Sequence, residues 1–137
     1  MQPPFPAPVT EWHNDTYAAI DPTRPELSVK GQKVIVTGGG YGIGRATAEA
    51  FAAAGAAGVA ISGRKEAPLL ETKKFIQLKY GVPVSTHVAD VTDATAMKKA
   101  AAEIGTWDIL IMNAGYMSAP GGSLESDLDD WWKTFEV

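Results

Sequence analysis

Residues 37–44 read TGGGYGIG, five glycines in eight positions, directly behind the apolar run Val34, Ile35, Val36. So dense a run suits a sharp strand-to-helix turn, because glycine reaches positive φ freely and lets a second backbone or a ligand come close. The flanking sequence agrees. KVIVT (33–37) is a continuous apolar run, as in a strand covered on both faces of a parallel sheet. Behind the glycines, Ile43, Thr47, Ala50, Phe51 and Ala54 recur three and four apart, which predicts a helix with that stripe inward and Gly55 at its C-terminus. GVAIS (58–62) reads as a second strand. The next helix has Pro68 in its first turn, a stripe of Leu69, Thr72, Ile76 and Tyr80, and an end at Gly81. VPVSTHVAD (82–90) is a third strand, after which Asp93 caps a helix carrying Met97, Ala100, Ala101 and Ile104 as far as Gly105. WDILIMNAG (107–115) is a fourth strand, and Ser126 with Asp129 predicts a capping box opening a last helix. This alternation, with no repeat in the sequence, predicts an α/β fold: a right-handed parallel sheet with helices on both faces.

At 137 residues the chain has the size of one domain. Its 45% apolar and 20% charged composition is that of a folded chain. Six of the nine prolines fall in the first 25 residues, which marks 1–29 as a Pro-rich arm and 30–137 as the folded domain. Pro3 and Pro6 form a bare PxxP that carries nothing alone. Trp12, Tyr17 and Ile20 predict that the second half of the arm lies on the domain surface, out of water. A net charge of −4 argues against nucleic acid and anionic membranes as partners. The absence of cysteine excludes disulfides, thiolate zinc sites and a thiol nucleophile. No signal peptide or spanning run is present, so the expected location is cytoplasmic, and Asn14-Asp15-Thr16 reads as a chance glycosylation triplet.

A glycine turn at a helix start presents N–H groups and positive dipole to a phosphate. Two phosphate loops can be tested by spelling. GxxxxGK[ST] nearly fits from Gly39, but Arg45 and Ala46 stand where the Lys and the Ser/Thr should be, which argues against an NTPase. GxGxxG fails in every register, since its third glycine would fall on Ile43, Arg45 or Thr47. TGxxxGxG does fit, on Thr37, Gly38, Gly42 and Gly44.

With TGGGYGIG after the first strand, Asp90 in ADVTD after the third and NAG (113–115) after the fourth, the chain resembles the short-chain dehydrogenases/reductases over roughly residues 30–137. The resemblance implies the N-terminal half of a Rossmann-type doubly wound sheet, about four strands in the order 3-2-1-4. It also implies a cofactor site. In the first turn this comprises Thr37, Gly38, Gly40, Tyr41, Gly42, Ile43 and Gly44. Gly38 would permit the tight turn, Gly42 the approach of the pyrophosphate, and Gly44 close packing of helix on sheet. Asp90, with Val91 beside it, would accept from the adenine amino group, and Asn113, Ala114 and Gly115 would line the crossing of the sheet.

The end of the second strand bears on which dinucleotide is held. An NAD site wants an acid there, about 20 residues past the loop. The sequence offers Ser62, Gly63, Arg64 and Lys65, a hydroxyl and two cations suited to a 2′-phosphate, so NADP is expected over NAD. The other reading of Arg64 and Lys65 is a solvated basic helix start partly neutralised by Glu66.

The family's chemistry moves hydride between nicotinamide and a carbonyl or alcohol, using a Tyr as acid/base and a Lys four residues later. No YxxxK exists here: four residues beyond Tyr17, Tyr41, Tyr80 and Tyr116 stand Asp21, Arg45, Val84 and Pro120. No catalytic residue is therefore assigned, and DILIM would form an apolar sheet edge with no fifth strand after it. A truncated oxidoreductase is the first expectation. The second is an inactive module that binds dinucleotide or a partner. His13 and His87 lack metal-ligand spacing, and Glu125, Asp127, Asp129 and Asp130 suit the first turns of a helix better than a metal. Trp131 and Trp132 predict a helical interface for a homo-oligomer, or else core packing. GYMSAPGGS (115–123) reads as a lip whose Tyr116 and Met117 would touch substrate.

Overall fold

A computed structural model of the chain describes residues 13–122 and 124–137. Strands β1 (Lys33–Thr37), β2 (Gly58–Gly63), β3 (Val84–Val88) and β4 (Ile109–Ile111) alternate with helices α1 (Gly42–Ala53), α2 (Glu66–Tyr80), α3 (Ala94–Ile104) and α4 (Leu128–Glu136). All pairings among these strands are parallel and the order is β3-β2-β1-β4, as expected.

Register and the two-residue period of a strand divide the sheet into two faces. Val34 stands beside Val59 and Ile109, and Val36 beside Ile61 and Ile111. This face packs on Ala48 and Ala52 of α1 and on Leu69 and Ile76 of α2, and forms the core. Full burial of each Val, Ile or Leu there contributes about 1.5–3 kcal/mol. The opposite face carries Ile35, Ala60, Ser85 and His87. Helix α3 covers it with buried Ala100 and with Glu103, whose Oε2 lies 3.2 Å from His87 Nδ1. His87 Nε2 lies 3.0 Å from Ser85 Oγ, so this histidine is packed into its strand.

Helix α1 faces inward one residue out of step with the predicted stripe. Its buried residues are Gly44, Ala48 and Ala52, whereas Ile43 is 79% exposed. The helix lies too close to the sheet for large side chains, so a four-residue series of small ones forms the contact, with Phe51 packed at its flank. Arg45 is half-buried. It pairs with Glu49 at 2.8 Å and lies 4.9 Å from the centroid of the Phe75 ring, bridging α1 to α2.

Three further expectations shift. Helix α4 is capped by Asp127, whose Oδ1 accepts from Asp129 N–H and Asp130 N–H, while Ser126 Oγ donates to Gly122 C=O. A carboxylate takes two helix donors at once, so the acid displaces the serine from the cap. Strand β4 pairs over three residues only; Leu110 on it is 46% exposed and Met112 beyond it 84%. Trp131 and Trp132 are exposed rather than packed in a core, with Trp131 set edge-on to Phe135 at 4.8 Å.

In the arm, the expectations for Pro3, Pro6 and Trp12 lie outside the described residues. Tyr17 and Ile20 remain 42% and 55% exposed, because polar turns hold this stretch: Asp21 Oδ1 accepts from the backbone N–H and hydroxyl of Thr23. Val29 joins the core, and its N–H donates to Ala54 C=O. Among the described residues no helix is long and apolar enough to cross a membrane.

Candidate functional site

The carboxyl ends of β1, β2, β3 and β4 converge on a cleft of about 260 Å³. Its walls are the loop Gly38–Gly44, the Gly63–Lys65 turn, Ala89–Val91, Asn113–Gly115, the first turns of α2 at Pro68 and Leu69, and Val137.

The glycine loop is built by geometry and by contact. Gly38 and Gly42 hold φ of 69° and 56°, in the left-handed region that favours glycine. Space in front of Gly42 is open, whereas a Cβ on Gly44 would come within 2.2 Å of Gly38 O and 2.5 Å of Asn113 Nδ2. Gly44 therefore brings α1, the loop and the β4 end together.

Thr37 fastens that junction from below. Its Oγ1 accepts from Asn113 N–H and Ala114 N–H at 3.0 Å each, and Asn113 Nδ2 donates to Thr37 C=O at 2.9 Å. Thr37 is 5% exposed and does not line the cleft, so it acts as a fastener rather than a wall.

Side-chain caps occur on two of the four helices α1 to α4. Asp93 and Asp127 cap α3 and α4, but α1 and α2, which open on the cleft at Tyr41 and Lys65, have no side-chain cap. First-turn N–H groups without an internal acceptor, at the positive end of the dipole, form a receptor for an anion. Arg64 and Lys65 line the same wall, and among the described residues Arg64 forms no ion pair.

Asp90 faces the cleft in its charged form. Hydrogen bonds from the Thr92 backbone and hydroxyl, and then the charge of Arg64, hold its carboxyl below the usual carboxylate range. Directly after Gly115, Tyr116 donates to Asp130 Oδ1 at 2.6 Å. That bond, with burial and the charge of Asp130, pushes the phenol pKa up. Ser118 N–H donates to Thr134 Oγ1, so the lip is tied to α4 at two points, while Met117 is 81% exposed.

All of the expected cofactor residues line the cleft except Thr37 and Ser62, and the expected substrate contacts Tyr116 and Met117 do not line it. Ser62 is 2% exposed, with its Oγ buried and unpartnered. Its strand position turns the side chain into the sheet face, away from a ligand at the strand end. Sequence reasoning missed Pro68, Leu69, Ala89 and Val137 as lining. A proline in the first turn of the helix after β2 was the available signal for the first two; nothing pointed to Val137. Among the described residues no group of three or more His, Asp or Glu is placed to hold a metal.

A family described as short chain dehydrogenase matches residues 32–137. Short chain dehydrogenase pigC of Monascus ruber is 37% identical over 137 residues, covering 91% of this chain and 43% of the relative. The 3-dehydrosphinganine reductase TSC10A of Arabidopsis thaliana is 42% identical over 100 residues, covering 73% and 30%. Among solved structures, L-sorbose reductase from Gluconobacter frateurii, complexed with NADPH and L-sorbose, superposes with a TM-score of 0.72 at 28% identity, covering 80% of this chain and 42% of that one. The chain thus spans less than half the length of these relatives. With the glycine turn, the strand order and the match across 32–137 in agreement, the chain belongs to the short-chain dehydrogenase family.

Proposed function

We propose that these residues form the dinucleotide-binding part of an NADP-dependent oxidoreductase, which transfers hydride between the nicotinamide and a small carbonyl or alcohol substrate. The observation that carries the reading is the uncapped start of α1 on a glycine-walled cleft, beside an Arg64 that forms no ion pair among the described residues. A 2′-phosphate is a dianion, and an arginine fork with Lys65 and the open start of α2 suits it. The neighbour L-sorbose reductase, complexed with NADPH, supports the same choice. In this reading Gly38, Gly40, Tyr41, Gly42, Ile43 and Gly44 hold the pyrophosphate, Asp90 and Val91 the adenine, and Asn113, Ala114 and Gly115 the nicotinamide end.

The test is titration of NADPH and NADH fluorescence with wild type and Arg64→Asp. Wild type should bind NADPH more tightly, and the variant should lose NADPH about a hundredfold while NADH changes little. An equal loss of both would remove Arg64 from the phosphate.

A second reading keeps binding without turnover. It is favoured by the sequence, in which no tyrosine is followed four residues later by lysine. The 137-residue chain should then quench with NADPH yet oxidise it with no carbonyl; oxidation abolished by Gly42→Val would overturn this reading. The apolar face of Trp131, Trp132 and Phe135 on α4 fits a second copy of the chain, and sedimentation of wild type against Trp132→Glu would detect that association.

A further inference from the structure

Helix α2 does more than flank the cleft. Thr72 lies fully buried on it, 32 positions from the glycine loop, and its Oγ1 donates to Gly40 C=O at 3.0 Å. Thr72 does not line the cleft. A loop that offers N–H groups to an anion must turn its carbonyls elsewhere, and a carbonyl turned into a dry interior needs a donor.

The consequence passes through one peptide bond. The Gly40–Tyr41 peptide is trans, so its N–H points opposite to its C=O. Holding Gly40 C=O toward Thr72 directs Tyr41 N–H away from it, and among the described residues this N–H has no acceptor although Tyr41 lines the cleft. The preceding residue is also tied down: Gly39 N–H donates to Ser62 C=O at 3.1 Å. A Cβ on Gly40 would sit 3.1 Å from Pro68 Cβ, so the loop rests directly on α2.

We propose that Thr72 is a positioning residue of the anion-binding loop, whose hydroxyl fixes Gly40 C=O and so aims Tyr41 N–H at a phosphate of the bound dinucleotide. The proposal rests on the dinucleotide reading above. It also makes α2 a brace between the two ends of the cofactor site, with Arg64 and Lys65 at its start and the glycine loop against its second turn.

The experiment compares wild type, Thr72→Val, which keeps the shape and removes the donor, and Thr72→Ser, which restores it. Two readouts are taken on each protein: amide hydrogen exchange across 38–44 without ligand, and calorimetric affinity for NADPH and for adenosine 2′-phosphate, which has no pyrophosphate. Thr72→Val should exchange the loop amides about tenfold faster with the sheet amides unchanged, and should bind NADPH about tenfold more weakly with adenosine 2′-phosphate unaffected. Thr72→Ser should stay within about threefold of wild type on both. Unchanged loop exchange, faster exchange throughout the sheet, or equal loss of both ligands would overturn the proposal. If wild type bound no dinucleotide, the functional reading would fall by itself, and the exchange data would still decide whether Thr72 sets the loop.

Discussion

Gly44 and Gly42 stand two residues apart in one loop and are glycine for different reasons. At Gly44 a Cβ meets the backbone oxygen of Gly38 at 2.2 Å, which no rotamer can relieve. At Gly42 there is room, but φ is 56°. Gly44→Ala should therefore cost about 3 kcal/mol by overpacking, and Gly42→Ala about 1–2 kcal/mol by backbone strain. Urea midpoints measure both, and the reverse ranking would show that the loop yields more readily than the backbone contacts imply. The close packing at Gly44 was legible in the spelling of the turn; the left-handed φ of Gly42 was not, since the resemblance assigns that glycine to the approach of the pyrophosphate. Ser62 was not legible. A hydroxyl two residues before Arg64 looks like a phosphate ligand until the strand's two-residue period turns it into the sheet, where its Oγ is buried.

Of the helices α1 to α4, α4 depends most on polar contacts, since it alone has no buried residue. Asp127 caps it, and the Tyr116–Asp130 and Ser118–Thr134 bonds moor it to the lip. Because the Tyr116 pKa is raised by its bond to Asp130, the mooring is present in full below the ordinary phenol value of about 10 and is lost as pH rises through the folded value. The tyrosinate absorbance difference between wild type and Tyr116→Phe should titrate above about pH 10; a midpoint at or below that value would mean the bond does not form. Helix boundaries set by an acid or a glycine were readable in advance for α2 and α3. The start of α4 and the inward stripe of α1 were read one position out, since a serine box and large apolar residues were favoured, while a stronger acceptor and close packing decide the fold.

For the whole molecule, a parallel sheet with helices on both faces was legible because alternation and right-handed crossovers leave few arrangements, while the strand order and the cleft at the strand ends came from the family resemblance. The exposure of Leu110 and Met112 follows from a fourth strand that pairs on one side over three residues. Its pairing is also the most remote in the chain: Lys33 N–H donates to Asp108 Oδ2, and Asn113 N–H to Thr37 Oγ1, across separations of 75 and 76 residues. Contacts so distant along the chain form late, because the entropy of closing the intervening loop comes before any gain from pairing. In stopped-flow refolding, helical circular dichroism should recover before NADPH quenching appears, and simultaneous recovery would contradict that order. A ribosome synthesising this chain would thus expose a complete glycine turn long before a cleft exists, and the capacity to capture a ligand would arrive only when the fourth strand joins the sheet.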